Sequence, residues 1–289
     1  MSPPPVLGIC SWSLQPGSAQ ELVAAVSKTG LGAVQLALKP FHRAGLLAGH
    51  RSWDLADTRT RLADAGISVR SAMMATRGED YSTLATIATT GGVRADEHWE
   101  ANLAIAREDA SRCAELGVTL VTLHGGFLPH DPGDPLRTVM IDRLRAVADA
   151  FADRGVSVGL ETGQESADTL LGVLAQLDRP TVGVNFDPAN MILYGMGDPV
   201  AALHRLAPHV LQVHVKDALP AETAGEWGQE VPVGEGGVDW ESFFDVLALV
   251  PRPVDLLFER EAGESRVDDV RAGIAHVAPL LAARQKGGS

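Results

Sequence analysis

Glu161, Asp187, His214 and Glu259 are the residues whose types and spacing point most clearly to chemistry. Each closes a short apolar run, and the intervals are 187 − 161 = 26, 214 − 187 = 27 and 259 − 214 = 45 residues. The first two intervals each equal about one strand-plus-helix unit. Side chains alternate along a strand, so parity decides which of them share a face. In 157–161, Val158 and Leu160 suit a helix-covered side, which leaves Ser157, Gly159 and Glu161 on the other. The same division groups Gly183, Asn185 and Asp187 in 182–187, Gln212 and His214 in 210–215, and Asp255, Leu257 and Glu259 in 254–259. Three carboxylates brought together raise one another's pKa, and a divalent cation relieves that repulsion. Three oxygen donors and one imidazole suit one Mn²⁺, Mg²⁺ or Co²⁺ ion better than they suit a structural zinc site, with Zn²⁺ still compatible. Taken singly, each carboxylate reads as well as a helix cap or an arginine partner, and His214 as a buried barrel histidine. Agreement across four strand ends favours one shared centre.

Four strand ends can meet only if their strands are parallel and share one end. Eight short runs fit strands, at 6–12, 33–38, 67–73, 119–124, 157–161, 182–187, 210–215 and 254–259. Between them, 18–29, 54–65, 99–116, 138–154, 166–177, 199–206, 239–249 and 268–283 fit helices. In 138–154, Val139, Leu144, Val147, Ala148 and Phe151 fall near one face, and Gly155 supplies a stop. Eight such units predict the α/β class and a single (β/α)₈ TIM barrel, one domain over residues 1–289, with an open sheet plus an appendage as the rival. The long connections after strands two, three, four and seven carry His42, His50, Asp80, His98, His130 and Trp227, on the side where such barrels place substrate contacts.

Composition narrows the partners. The 289 residues are 45% hydrophobic and 21% charged, which argues against disorder. The formal charge is 24 − 37 = −13, so a nucleic acid would meet an unfavourable field. No apolar run reaches the roughly 18 residues needed to span a bilayer, so no membrane partner is expected. The N-terminal Met1-Ser2-Pro3-Pro4-Pro5 lacks the basic and apolar regions of a secretory signal, and a cytoplasmic location is the expectation. Cys10 and Cys113 form no paired motif and read as buried thiols.

Gly8-Ile9-Cys10-Ser11-Trp12-Ser13, Val34-Gln35-Leu36-Ala37-Leu38, Leu160-Glu161-Thr162, Asn185-Phe186-Asp187-Pro188-Ala189-Asn190, His214-Val215-Lys216-Asp217, Gly234-Glu235-Gly236 and Phe258-Glu259-Arg260-Glu261-Ala262-Gly263 together resemble the sugar phosphate isomerase/epimerase family, a branch of the xylose isomerase-like TIM barrels. The resemblance spans nearly the whole chain. It implies that Glu161, Asp187, His214 and Glu259 hold one divalent metal, as in the ketose 3-epimerases, and that the two glutamates also exchange the substrate proton. Two positions depart from the pattern: Asn190 stands where many relatives carry a histidine, and Pro220 where an arginine is frequent.

The sequence therefore predicts a metal-dependent isomerase or epimerase of a small carbohydrate, keto-sugar or polyol, working through an enediolate, with Glu161 and Glu259 as the catalytic pair. A dehydratase or 3-keto-glycoside lyase with the same centre is the nearest alternative, and a non-catalytic sugar-binding subunit the more distant one. A homo-oligomer is compatible with either. Lys216 shares the parity of His214 and suits polarising a carbonyl, with a salt bridge to Asp217 or Glu235 as its rival role. His124 suits a hydroxyl contact, Trp12 a sugar face and Asn190 a substrate contact. Glu261, two residues beyond Glu259, competes for the eighth-strand place. Gly125-Gly126 and Gly234-Glu235-Gly236-Gly237 lack the lysine of a P-loop, so they suggest phosphate only weakly, and no basic phosphate clamp is visible.

Overall fold

A computed structural model describes residues 5–39, 54–223 and 225–287. The barrel strands are β1 (Leu7–Cys10), β2 (Ala33–Ala37), β3 (Ser68–Met73), β4 (Leu120–Leu123), β5 (Ser157–Glu161), β6 (Val182–Phe186) and β7 (Val210–Val215). A small antiparallel hairpin follows, β8 (Asp217–Leu219) with β9 (Gln229–Val231), and β10 (Asp255–Phe258) is the eighth barrel strand. The eight pair in parallel in the order β1-β10-β7-β6-β5-β4-β3-β2 and close on themselves, giving a single (β/α)₈ barrel. A closed sheet leaves no unpaired edge. Among the described residues, no helix is long and apolar enough to cross a membrane.

The helices are α1 (Ala19–Thr29), α2 (Leu55–Asp64), α3 (Leu84–Thr90), α4 (Asp96–Leu116), α5 (Pro135–Ala152), α6 (Ala167–Leu177), α7 (Pro188–Leu193), α8 (Pro199–Leu206), α9 (Trp240–Leu247) and α10 (Arg266–Gly287). Their starts follow from side-chain caps. Ser18, Asp54, Asp134, Ser166, Asp198 and Asp239 each accept a backbone N–H from the first turn, satisfying a donor that the helix cannot. The short α3 and α7 escape a periodicity reading because they are less than two turns long. Their signals are local: a Thr83–Thr86 capping box for α3, and Asp187 before Pro188 for α7. In α5 the buried face takes Met140, Ile141, Leu144, Val147, Ala148 and Phe151, whereas Val139 points outward and is 40% exposed. One step of 100° separates Val139 from that stripe.

Outward-facing strand residues, Val121, Val158, Leu160, Val184, Phe186, Val213, Val215, Leu256 and Phe258 among them, are buried against the helical ring. Each large apolar side chain buried there stabilises by roughly 1.5–3 kcal/mol. Inside the barrel, Cys10, Trp12, Ala37, Met73 and Leu257 form a separate small cluster. The two apolar sets are divided by strand parity, and that division leaves the lumen free for polar groups.

Candidate metal centre at the mouth of the barrel

Beneath the mouth lies a layer of polar side chains, each from a different strand: Gln35, Ser71, Thr122, Asn185 and Gln212, all at most 1% exposed. Gln35 is the hub. Its Nε2 donates to Thr122 Oγ1 at 2.8 Å and to the Ala72 carbonyl at 3.2 Å, while its Oε1 accepts from Gln212 Nε2 at 3.1 Å. Gln212 Nε2 also donates to Asn185 Oδ1, and Ser71 Oγ donates to Gln212 Oε1 at 2.5 Å. His214 Nε2 lies 2.7 Å from the same Gln35 oxygen. A carboxamide oxygen only accepts, so Nε2 carries a proton and Nδ1 is the ring nitrogen left to meet the carboxylates.

Nδ1 faces three carboxylates, and although burial opposes a charge there, its anionic neighbours hold the imidazole well above its ordinary pKa, so Nδ1 also carries a proton until a cation displaces it. His214 Nδ1 is 3.5 Å from Glu161 Oε1, 3.8 Å from Asp187 Oδ2 and 3.3 Å from Glu259 Oε2. One donor atom from each of Glu161, Asp187, His214 and Glu259 lies within 4.8 Å of all the others, and all four residues are buried. The four strand ends do meet. Asp187 serves two purposes: its Oδ1 accepts the Asn190 N–H at 2.9 Å as the cap of α7, while its Oδ2, wholly buried, has no hydrogen-bond partner. The capping and ligand readings of this residue thus belong to different oxygens.

Burial pushes the Asp187 carboxyl up to about 7, the cost of a charge held away from water. Burial acts on Glu161 as well, but His124 and His214 outweigh it and hold that carboxyl below its ordinary value. Lys216 and His214 do the same for Glu259, which falls well below. Three carboxylates around one imidazole nitrogen, one of them with an orphaned buried oxygen, form a donor set that fits a divalent cation.

Around this centre stand the other residues singled out from the sequence. Trp12, on the 3₁₀ turn Ser11–Leu14 and not on the strand itself, donates its Nε1–H to Glu259 Oε1 at 2.5 Å. Asn190 Nδ2 donates to Glu161 Oε1 at 2.8 Å. Asn185 Nδ2 donates to the other Glu161 oxygen at 3.3 Å, so both glutamates are held by neutral donors. Lys216 Nζ donates to Glu259 Oε2 at 3.0 Å and Glu261 Oε2 at 2.7 Å. Its acidic partners are these two, with Asp187 and Glu230 further off, and not Asp217 or Glu235. Asp217 instead accepts the N–H groups of Ala218, Gly234 and Val238 and the Trp240 indole, pinning the hairpin. Glu261 stands outside the four-residue cluster, its side chain 53% exposed. His124 Nε2 is 3.9 Å from Glu161 Oε1, and its buried Nδ1 has no partner.

Above the centre opens a cavity of about 350 Å³, walled by Trp12, Tyr81, Tyr194 and Trp227 and edged by His124, Asn190 and Lys216. Of the loop residues, Trp227 reaches this cavity. Asp80 caps its own turn by accepting the Ser82 N–H, His98 lies on α4 against Gly78, and His130 Nδ1 contacts Thr169 Oγ1 at 2.7 Å. His42 and His50 lie outside the described residues. The glycine pairs serve packing. A Cβ on Gly92 would meet the Gly125 and Gly126 backbone at 2.3 Å, and one on Gly236 would strike the Asp217 carboxylate at 2.0 Å.

The description Xylose isomerase-like TIM barrel matches residues 15–280. The chain belongs to that family. Among solved structures, a xylose isomerase domain protein from Planctomyces limnophilus is 31% identical over 96% of each chain, with a TM-score of 0.80. A xylose isomerase-like TIM barrel protein from Mycobacterium smegmatis in complex with magnesium is 18% identical over 97% of each chain, at 0.69. An L-ribulose 3-epimerase is 17% identical over 98% of this chain and 97% of its own, at 0.70. The last two share the fold. The uncharacterized protein YihM of Escherichia coli (strain K12) is 26% identical over 120 residues, a match spanning 40% of this chain and 36% of YihM.

Gln35 is a site residue for which the sequence alone signals no role. It sits in an apolar run, and only the closed barrel shows that β2 carries it beneath His214. Trp12 as a partner of Glu259 was likewise hidden, because the first and eighth strands become neighbours only on closure.

Proposed function

We propose that this protein is a divalent-metal-dependent isomerase or epimerase of a small carbohydrate, keto-sugar or polyol. The observation that carries the reading is the pair Glu161, at the end of β5, and Glu259, just past the end of β10, with β6 and β7 between those strands and both carboxylates reaching the same buried imidazole nitrogen beneath a small cavity. A volume of about 350 Å³ lies at the small end of the range for ligand pockets, which suits one sugar ring or its open chain. The magnesium complex and the epimerase of the same fold support it.

Glu161, Asp187, His214 and Glu259 would hold the cation, which when bound supplies Lewis acidity toward neighbouring carbonyl and hydroxyl oxygens. Both glutamates are held ionised, so either accepts a proton from the carbon next to a carbonyl. Returning a proton from the glutamate on the opposite face inverts that carbon, and returning it to the neighbouring carbon moves the carbonyl. Asn190 and Trp12 keep the two carboxylates aimed, Lys216 balances the charge on Glu259, and His124 offers a ring nitrogen to a substrate hydroxyl.

The test is exchange in deuterated water, with purified protein, Mn²⁺ and a panel of keto-sugars and polyols followed by NMR. Deuterium entering at the carbon next to the carbonyl is the expected result. Loss of a hydroxyl without exchange into recovered substrate would point to dehydration, and binding without either reaction to a sugar-binding subunit.

A further inference from the structure

The lumen contains a second set of donor atoms that overlaps the first. Cys10 ends β1 and is paired with Gln35 of β2, and its Sγ, a donor atom of His214 and one of Glu259 all lie within 4.8 Å of one another. A tetrahedral ion with bonds of about 2.0–2.3 Å needs its donors roughly 3.5 Å apart, a modest contraction from that spacing. The thiol is weakly engaged otherwise. Besides a side-chain contact with His214 itself, it has a hydrogen bond of 3.5 Å to Gln35 Oε1, an oxygen that already accepts from His214 and Gln212 at 2.7 and 3.1 Å. Two lone pairs are taken, so little is lost when the sulfur turns to another partner. Independently, the buried and unpartnered Asp187 Oδ2, 3.8 Å from His214 Nδ1, marks the same imidazole as the place where a cation belongs.

Resting on the reading that the four-residue cluster holds a divalent ion, we propose that Cys10, His214 and Glu259 form a softer inner position that captures thiophilic ions such as Zn²⁺ and Cd²⁺. On capture the Cys10 S–H bond breaks, a sulfur–metal bond forms and the proton passes to solvent, with no change of oxidation state. Thiolate selects soft ions, whereas Mg²⁺ and Mn²⁺ favour the outer set, whose donors are carboxylate oxygens apart from His214. His214 and Glu259 serve both positions, so the two are filled in alternation. An ion in the inner one withdraws both side chains from Glu161 and Asp187, making Zn²⁺ a competitor of Mn²⁺ and not its substitute.

Two titrations of the metal-free full chain test this. Cd²⁺ is followed by the ultraviolet thiolate-to-metal charge-transfer band, and Mn²⁺ by the loss of its free electron paramagnetic resonance signal. The expected results are a band at one Cd²⁺ per chain, its loss in Cys10→Ser and Cys10→Ala, and its persistence in Cys113→Ser. The preference for Zn²⁺ over Mn²⁺, measured by competition, should fall about tenfold in both Cys10 variants. Cd²⁺ binding without the band, or a band that survives in Cys10→Ala, overturns the inner position. Failure of Mn²⁺ to bind wild-type protein overturns the four-residue reading instead, so the two failures are distinguishable. If the Cys10 variants do not fold, the Cys113→Ser spectrum decides the matter, because Cys10 is then the one thiol left to give the band.

Discussion

Replacing Gln35 by methionine removes the hub under His214 while keeping side-chain length. Five hydrogen bonds disappear: those received from His214, Gln212 and Cys10, and those given to Thr122 and the Ala72 carbonyl. Gln212 Nε2 keeps Asn185 Oδ1, so the groups left short are the His214 Nε2–H, the Ala72 carbonyl and Thr122. Two or three buried polar groups without partners, at about 1–3 kcal/mol each, destabilise the fold by about 2–6 kcal/mol. The imidazole also loses the acceptor that fixes its tautomer. Groups that orient a metal-binding histidine are worth 10- to 100-fold in affinity, so Mn²⁺ binding should weaken by about 1.4–2.7 kcal/mol. Calorimetric unfolding of the metal-free protein gives the first quantity, and Mn²⁺ titration by electron paramagnetic resonance gives the second. Gln35→Glu keeps an acceptor for His214 and should retain most of the affinity. If Gln35→Met folds and binds Mn²⁺ as tightly as wild type, His214 is not oriented by Gln35 and the reasoning fails.

Asp187→Asn or His214→Ala should abolish retention of a divalent ion through dialysis, read by elemental analysis. Glu161→Gln and Glu259→Gln should each lower kcat at least a hundredfold while metal content falls less, because an amide offers an oxygen but carries no proton. Glu261→Gln, outside the cluster, should be far milder, and the opposite ranking would move the eighth-strand position outward. Lys216→Ala should lower kcat/KM with metal retained, since two carboxylates lose their shared cation. In the metal-free protein, burial raises Asp187 from 3.8 to about 7 and Glu165 from 4.5 to about 8. A raised acid contributes stability that is complete below its unfolded pKa and lost as pH rises through the folded one. Melting temperature should therefore fall between about pH 4 and 8, less steeply in Asp187→Asn, and saturating Mn²⁺ should reverse the fall.

Alternation of apolar and polar residues made the eight strands and the inward side of each legible, because a closed parallel barrel sorts its two faces by parity. Glu161, Asp187, His214 and Glu259 were legible for the same reason. Strand boundaries were less so. The run 6–12 gives way at Ser11 to a 3₁₀ turn, and only that turn swings Trp12 over Glu259. The run 182–187 stops at Phe186, where Asp187 leaves the sheet to cap α7. What stayed hidden was which lumen residues meet. Gln35 and His214 are 179 positions apart and touch through closure alone. Lys216 was legible as inward, but its choice of Glu259 and Glu261 over its sequence neighbour Asp217 depends on the hairpin, which gives Asp217 four donors of its own.

Diffraction from crystals grown with Mn²⁺, measured for anomalous scattering, tests the central claim most directly. One peak per chain is expected, within about 2.0–2.3 Å of oxygens from Glu161, Asp187 and Glu259 and of His214 Nδ1. A folded, crystalline protein with no peak among these four side chains, or with its only peak elsewhere, would contradict it.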